Sequence, residues 1–205
     1  MPIYEIFAED AYDIDGLVRD LPEGFTALDI GGQIGCFTVA LATHRADAQI
    51  HTYEASPVTA GWLRRNVATN DLDARVEVNA TAVSDHTGTL QFRDNGAGSG
   101  LNGITASEGS STVVDVPCVT LDEAVKRAGG EVSLVKMDTE GAEYDIVLAS
   151  SPESWASVQR MVIEYHPVPG HSWEELQAFL HGVGLKTDRV DPVEPGLGTA
   201  WLSRA

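Results

Sequence analysis

The sequence predicts an α/β fold in which helices cover a mainly parallel β-sheet, and three observations carry that reading. Strand-like and helix-like segments alternate from about residue 26 to residue 166, the pattern of βαβ units. The first apolar run, FTALDI, stops at Gly31-Gly32 and opens straight into a helical period. The tail LKTDRVDPVEPGLGTAWLSRA reads as two strands around a turn at Pro192 to Gly198. The 205 residues suit one domain, 1–205, whose first 25 residues form an N-terminal segment.

The elements follow in order. After FTALDI, Phe37, Ala40 and Leu41 recur at helical spacing. QIHTYE is the next strand. Ser56 then reads as an N-cap with Pro57 in the first helical position, where a missing N–H costs nothing, and the helix carries Trp62, Leu63 and Val67 to about Asn70. ARVEVNATAV alternates as one strand, and Gly88 turns it into the hairpin partner TLQF. Residues 94–112 are rich in Gly and Ser and form the one loop long enough for a lid or substrate wall. VVDVPCV returns to strand character. Thr120 with Glu123 makes a capping box for LDEAVKRA, which Gly129-Gly130 ends. VSLVKMD is a strand, EYDIVLAS a helix and RMVIEYH a strand. Ser172 with Glu175 caps a helix bearing Leu176, Phe179, Leu180 and Val183, closed by Gly184.

Composition excludes several classes of function. At 43% hydrophobic residues the chain can bury a core, and no stretch reaches the ~18 apolar residues of a membrane helix. The net charge of -18, from 31 acidic and 13 basic residues, repels a phosphate backbone, so DNA and RNA are not expected substrates. Cys36 and Cys118 both lie among apolar residues, which predicts two buried thiols rather than a disulfide and a reducing cytoplasm as the compartment. The N-terminus shows no basic start followed by an apolar run. No membrane partner is expected, and the oligomeric state is open between monomer and homodimer.

LDIGGQIGCFT (residues 28–38) carries the first chemical signal, a strand feeding a glycine turn that opens a helix. It is not the dinucleotide fingerprint: with Gly32 and Gly35 as second and third glycines, G-x-G-x-x-G needs glycine at 30, where Ile30 stands. Asp29 before the turn suits a cationic sulfonium better than a pyrophosphate. Glu54, at the end of the next strand, is placed to accept both hydroxyls of a ribose. Together they point to an adenosine cofactor without pyrophosphate.

The third signal is VSLVKMDTEGAEYDIVLAS (132–150), preceded by VTLDE and followed by RMVIEYHP. With Asp29-Gly31-Gly35, Glu54, Thr120-Leu121-Asp122, Lys136-Asp138-Glu140-Gly141-Glu143, and Glu164 with His166, this resembles the FkbM methyltransferase family over about residues 26–185. Gly32, where alanine is common, and Ala55-Ser56, where proline often follows the acid, are its departures. The resemblance implies a Rossmann-like class I methyltransferase fold: a seven-stranded, mainly parallel sheet whose last strand is antiparallel and inserted beside its neighbour. It implies S-adenosyl-L-methionine as cofactor, held by Asp29, Gly31, Gly35, Glu54, Ala55, Ala82 and Asp138. It further implies O-methylation of a small metabolite such as a sugar or polyketide.

Ligands of open α/β sheets sit at the carboxyl ends of the strands, so Asp138, Glu140, Glu164 and His166 are the candidate catalytic groups. His166 is the expected general base, since an unperturbed imidazole titrates in the right range. No metal-ligand spacing is diagnostic. Lys136 and Asp138 share a strand face and would satisfy each other structurally. N- or C-directed transfer and a non-catalytic adenosine-binding module remain as alternatives.

Overall fold

The computed structural model describes residues 2–94 and 112–204. Apart from its two end residues, the loop expected over 94–112 lies outside them. Two short helices, α1 (Pro2–Phe7) and α2 (Ile14–Val18), precede β1 (Thr26–Ile30), α3 (Cys36–His44), β2 (Gln49–Tyr53), α4 (Pro57–Thr69) and β3 (Val76–Asn79). Then come β4 (Ala82–Ser84), β5 (Gly88–Asp94), β6 (Thr112–Thr120), α5 (Leu121–Arg127), β7 (Leu134–Met137) and α6 (Glu143–Ala149). A 3₁₀ turn at Pro152–Trp155 leads to β8 (Arg160–Tyr165), α7 (Trp173–Gly182), β9 (Leu185–Glu194) and β10 (Leu197–Arg204).

The main sheet has seven strands in the order β3-β2-β1-β7-β8-β10-β9. The first five pair in parallel, and β10 is inserted antiparallel between β8 and β9. Strands buried on both faces are mostly apolar, and all four residues of β7 are buried, Lys136 being the one charged residue among them. On one face Leu28, Val135, Met137 and Ile163 pack against residues of α5, α6 and α7. On the other, Ala27, Ile50, Leu134 and Val162 meet α2, α3 and α4. Cys36 and Cys118 are both buried and form no disulfide. Among the described residues no helix is long and apolar enough to cross a membrane.

Two local readings need correction. ARVEVNATAV is two strands, not one: β3 pairs with β2, while β4 leaves the main sheet to pair in parallel with β6. The hairpin expected at Gly88 does not form, because β6 lies between β4 and β5 in a second, three-stranded sheet. Alternation reports that a segment has two unlike faces; it does not report which strand it joins. Thr120 and Ser56 cap their helices through their hydroxyls as expected, whereas the Ser172 side chain makes no capping bond.

Beneath the first glycine turn a buried ion pair joins the central strands. Asp29 of β1 is directly opposite Lys136 of β7 and Thr52 of β2. The Lys136 ammonium lies 3.3 Å from Asp29 Oδ1 and donates to the Gly31 carbonyl at 2.7 Å. Asp29 Oδ2 accepts from Thr38 at 2.5 Å and from Thr52 at 3.4 Å. Burial opposes the Lys136 charge, but Asp29 and then Asp138 more than offset it and hold the amine above its ordinary range. Removing one partner strands a buried charge. Lys136→Met should therefore cost about 3–5 kcal/mol in urea unfolding at neutral pH, and adding Asp29→Asn should recover part of the loss.

Candidate active site

A cleft opens at the carboxyl ends of β1, β2 and β7. Gly31, Glu54, Ala55, Ala82, Asp138 and Glu140 line it, as the sequence led one to expect. Phe92 and Val83 add apolar wall from the second sheet.

Asp29 and Gly35 stand apart from this lining, which corrects their assigned roles. Asp29 is fully buried under the turn and spends its oxygens on Lys136, Thr38 and Thr52. Gly35 is the left-handed N-cap of α3 (φ 92°), and a Cβ there would lie 3.2 Å from the Leu63 side chain. Gly31 also has positive φ (79°), and its Cβ would overlap the Asp138 carbonyl oxygen. These glycines thus let the turn approach the protein's own backbone and α4.

Glu54 is nearly buried. Its Oε2 accepts the Gln33 N–H at 2.9 Å and its Oε1 the Ser56 N–H at 2.8 Å. Burial raises its carboxyl, and those two donors oppose the shift. Each oxygen keeps a lone pair, so the carboxylate is oriented yet still able to accept two hydroxyls.

At the other end, acids and one imidazole converge from β7 and β8. The Tyr12 hydroxyl lies 3.2 Å from Asp138 Oδ2 and 3.3 Å from Glu164 Oε2. Glu140 has φ 55°, a left-handed conformation that a non-glycine residue holds at a cost of order 1–3 kcal/mol. Burial first, and then the charge of Asp138, push its carboxyl up to about 7 against the opposing pull of His166. His166 Nδ1 lies 3.2 Å from Glu143 Oε1, and Nε2 lies 3.5 Å from Glu140 and 3.9 Å from Glu164. Glu143 is fully buried and accepts from the Thr139 N–H and hydroxyl and the Gly141 N–H.

Burial would lower the imidazole, but its hydrogen bond to Glu143 and the surrounding carboxylates push it up to about 9. A raised imidazole keeps both nitrogens protonated at neutral pH, which opposes the general-base role expected of His166. The unperturbed range did not survive four nearby acids. Asp138, Glu140 and His166 each bring a donor atom within 4.8 Å of the others. Tyr12 and the pairing role of Glu143 were missed. Nothing near Tyr12 in sequence marks it, and Glu143 reads simply as an acid in the first turn of a helix.

The FkbM methyltransferase domain model matches residues 29–186. The chain belongs to the FkbM methyltransferase family. It is a methyltransferase, and its methyl donor is S-adenosyl-L-methionine. Methyltransferase sdnD of Sordaria araneosa is 28% identical over 90% of this chain and 81% of its own length. Methyltransferase 1 of Beauveria bassiana is 25% identical over 94% and 84%. A putative rRNA methylase structure from Clostridium thermocellum superposes with TM-score 0.59 at 12% identity, covering 95% of this chain and 94% of that one. A putative tRNA (m1A22) methyltransferase from Streptococcus pneumoniae, solved with S-adenosyl-L-methionine, gives 0.54 at 12% identity, covering 95% and 72%. These structures share the Rossmann-like fold. The cofactor fits the cleft found here, with the oriented Glu54 carboxylate facing it and apolar Ala55, Ala82 and Phe92 in its wall.

Two outcomes follow from this geometry. Glu54→Ala should weaken S-adenosylhomocysteine binding by at least about tenfold in calorimetry, since hydrogen bonds to a charged acceptor are worth about 1.5–3 kcal/mol each. His166 is raised in the folded state, so its stabilising contribution is full below about pH 6.5 and lost as pH rises through about 9. The stability gap between wild type and His166→Gln, followed by urea unfolding, should close over that window.

Proposed function

We propose that the enzyme methylates a hydroxyl of a small metabolite, such as a sugar or polyketide alcohol, and that Glu140 is the general base. The observation that carries the reading is Glu140 itself: a carboxylate held in a left-handed conformation on the cleft wall, with its carboxyl pushed up to about 7. A base poised near the working pH is both ionised often enough and basic enough to take a hydroxyl proton. The cleft wall combines apolar side chains with a few carboxylates, as small-molecule sites do, and the charge of -18 disfavours a nucleic acid acceptor.

Bound S-adenosyl-L-methionine supplies a methyl carbon already activated by its sulfonium. The chain's own residues do the rest. Glu54 fixes the adenosine end, and Asp138 holds polar groups at the opposite end of the cleft. Glu140 accepts the proton of the incoming hydroxyl, and the His166 imidazolium, 3.5 Å away and anchored by Glu143, keeps that carboxylate oriented.

Glu140→Gln should keep S-adenosylhomocysteine affinity yet slow methyl transfer by about 10²–10⁴-fold on an acceptor found by screening glycosides and polyketide alcohols. In the wild type the rate should fall as pH drops through about 7, as Glu140 takes up its proton. Wild-type turnover by Glu140→Gln across pH 6–9 would end this assignment.

A further inference from the structure

Tyr12 lies outside the matched residues 29–186, yet its hydroxyl meets two carboxylates at the ends of two different strands. Its position is built. The Trp201 indole N–H of β10 donates to the Tyr12 carbonyl at 2.8 Å, and the ring packs edge-on against Phe37 of α3. The Lys136 ammonium lies 5.8 Å from the ring centroid. Burial and the charges of Asp138 and Glu164 keep the phenol protonated far above the ordinary tyrosine range.

A phenol has one proton to give. At 3.2 and 3.3 Å it can donate to Asp138 or to Glu164, not to both. The second contact becomes a hydrogen bond only when that carboxyl carries a proton and donates it to the phenol oxygen. We propose that Tyr12 is a positioning residue for methyl transfer, its hydroxyl joining Asp138 and Glu164 into one proton-sharing unit at the ends of β7 and β8. It acts through those acids and is not itself part of the cleft lining. Such a unit holds together two acids that would otherwise repel, and it fixes Asp138 in the cleft wall.

The charged groups around the unit are on the page. Lys136 stands 3.9 Å from Asp138, with Asp29 behind it. His166 stands 3.9 Å from Glu164, with Glu140 and Glu143 on its other contacts. Burial first and Asp138 next raise the Glu164 carboxyl, while His166, Lys136 and the Tyr12 hydroxyl pull it down. Loss of the hydroxyl therefore shifts Glu164, upward where the phenol donates to it and downward where Glu164 carries the shared proton.

The role in the reaction rests on the proposed function, so the test has a part that needs no acceptor. Glutamate carboxyl carbons are labelled with ¹³C in the enzyme saturated with S-adenosylhomocysteine, and Glu164 is assigned by loss of its signal in Glu164→Gln. Tyr12→Phe should shift the Glu164 titration midpoint by about one pH unit, the direction showing which acid carries the shared proton. S-adenosylhomocysteine affinity should stay within about twofold, and methyl transfer should slow roughly tenfold or more. An unmoved midpoint in folded Tyr12→Phe overturns the proton-sharing unit; a moved midpoint with wild-type turnover overturns its part in the reaction. Should the variant not fold, the ζ-¹³C resonance of Tyr12 in the wild type must shift with the Glu164 midpoint, and silence there overturns the proposal too. A Glu140→Gln enzyme with normal turnover would instead remove the assigned base and leave the Tyr12 result standing.

Discussion

The geometry of the site depends on the buried Asp29–Lys136 pair. Lys136 reaches from β7 to the Asp29 carboxylate of β1 and to the Gly31 carbonyl at the start of the turn. That carbonyl would otherwise be a buried acceptor at the point where the chain leaves the sheet. Thr38 on α3 and Thr52 on β2 bind the same carboxylate, so one buried acid ties three strands and α3 to the turn. The close packing of Gly31 on the Asp138 carbonyl then sets how near the two sides of the cleft approach.

From this frame the two ends of the cleft acquire opposite characters. Among the described residues Glu54 is oriented by two backbone donors, one on each oxygen. The far end holds Asp138, Glu140, Glu143 and Glu164 with one imidazolium among them. Buried like charges cannot all ionise freely, and the structure separates them by environment. Glu143 has a hydrogen-bond donor on every side and stays below the usual carboxylate range, although burial works against it. Glu140 has burial and a like charge against it and moves up to about 7. Two glutamates three residues apart in one turn thus have opposite environments, one anchoring His166 and one raised on the cleft wall.

Much of this was legible in the chain. The βα alternation, the glycine turn after β1, the caps at Ser56 and Thr120, and the terminal hairpin each rest on short-range periodicity or turn chemistry. The lining positions Gly31, Glu54, Asp138 and Glu140 were found because the turn after a parallel strand always faces the carboxyl edge. Asp29 was read as a ligand contact because it is a charged residue at a strand end. Its neighbour across the sheet, Lys136, is 107 positions away in sequence and claims it instead.

By itself, then, the sequence determined the layered α/β architecture, the place of the cleft, the family and Glu54 as an acid of the cleft wall. All of these follow from residues within a few positions of one another or from a contiguous motif. Only the tertiary structure decided which strands form the second sheet, that carboxylates surround His166, and that the Tyr12 hydroxyl lies between Asp138 and Glu164. The reason is physical. Strand choice and ionisation depend on partners brought together from distant segments, and a charge or a hydrogen bond acts over ångströms of space whatever the distance along the chain.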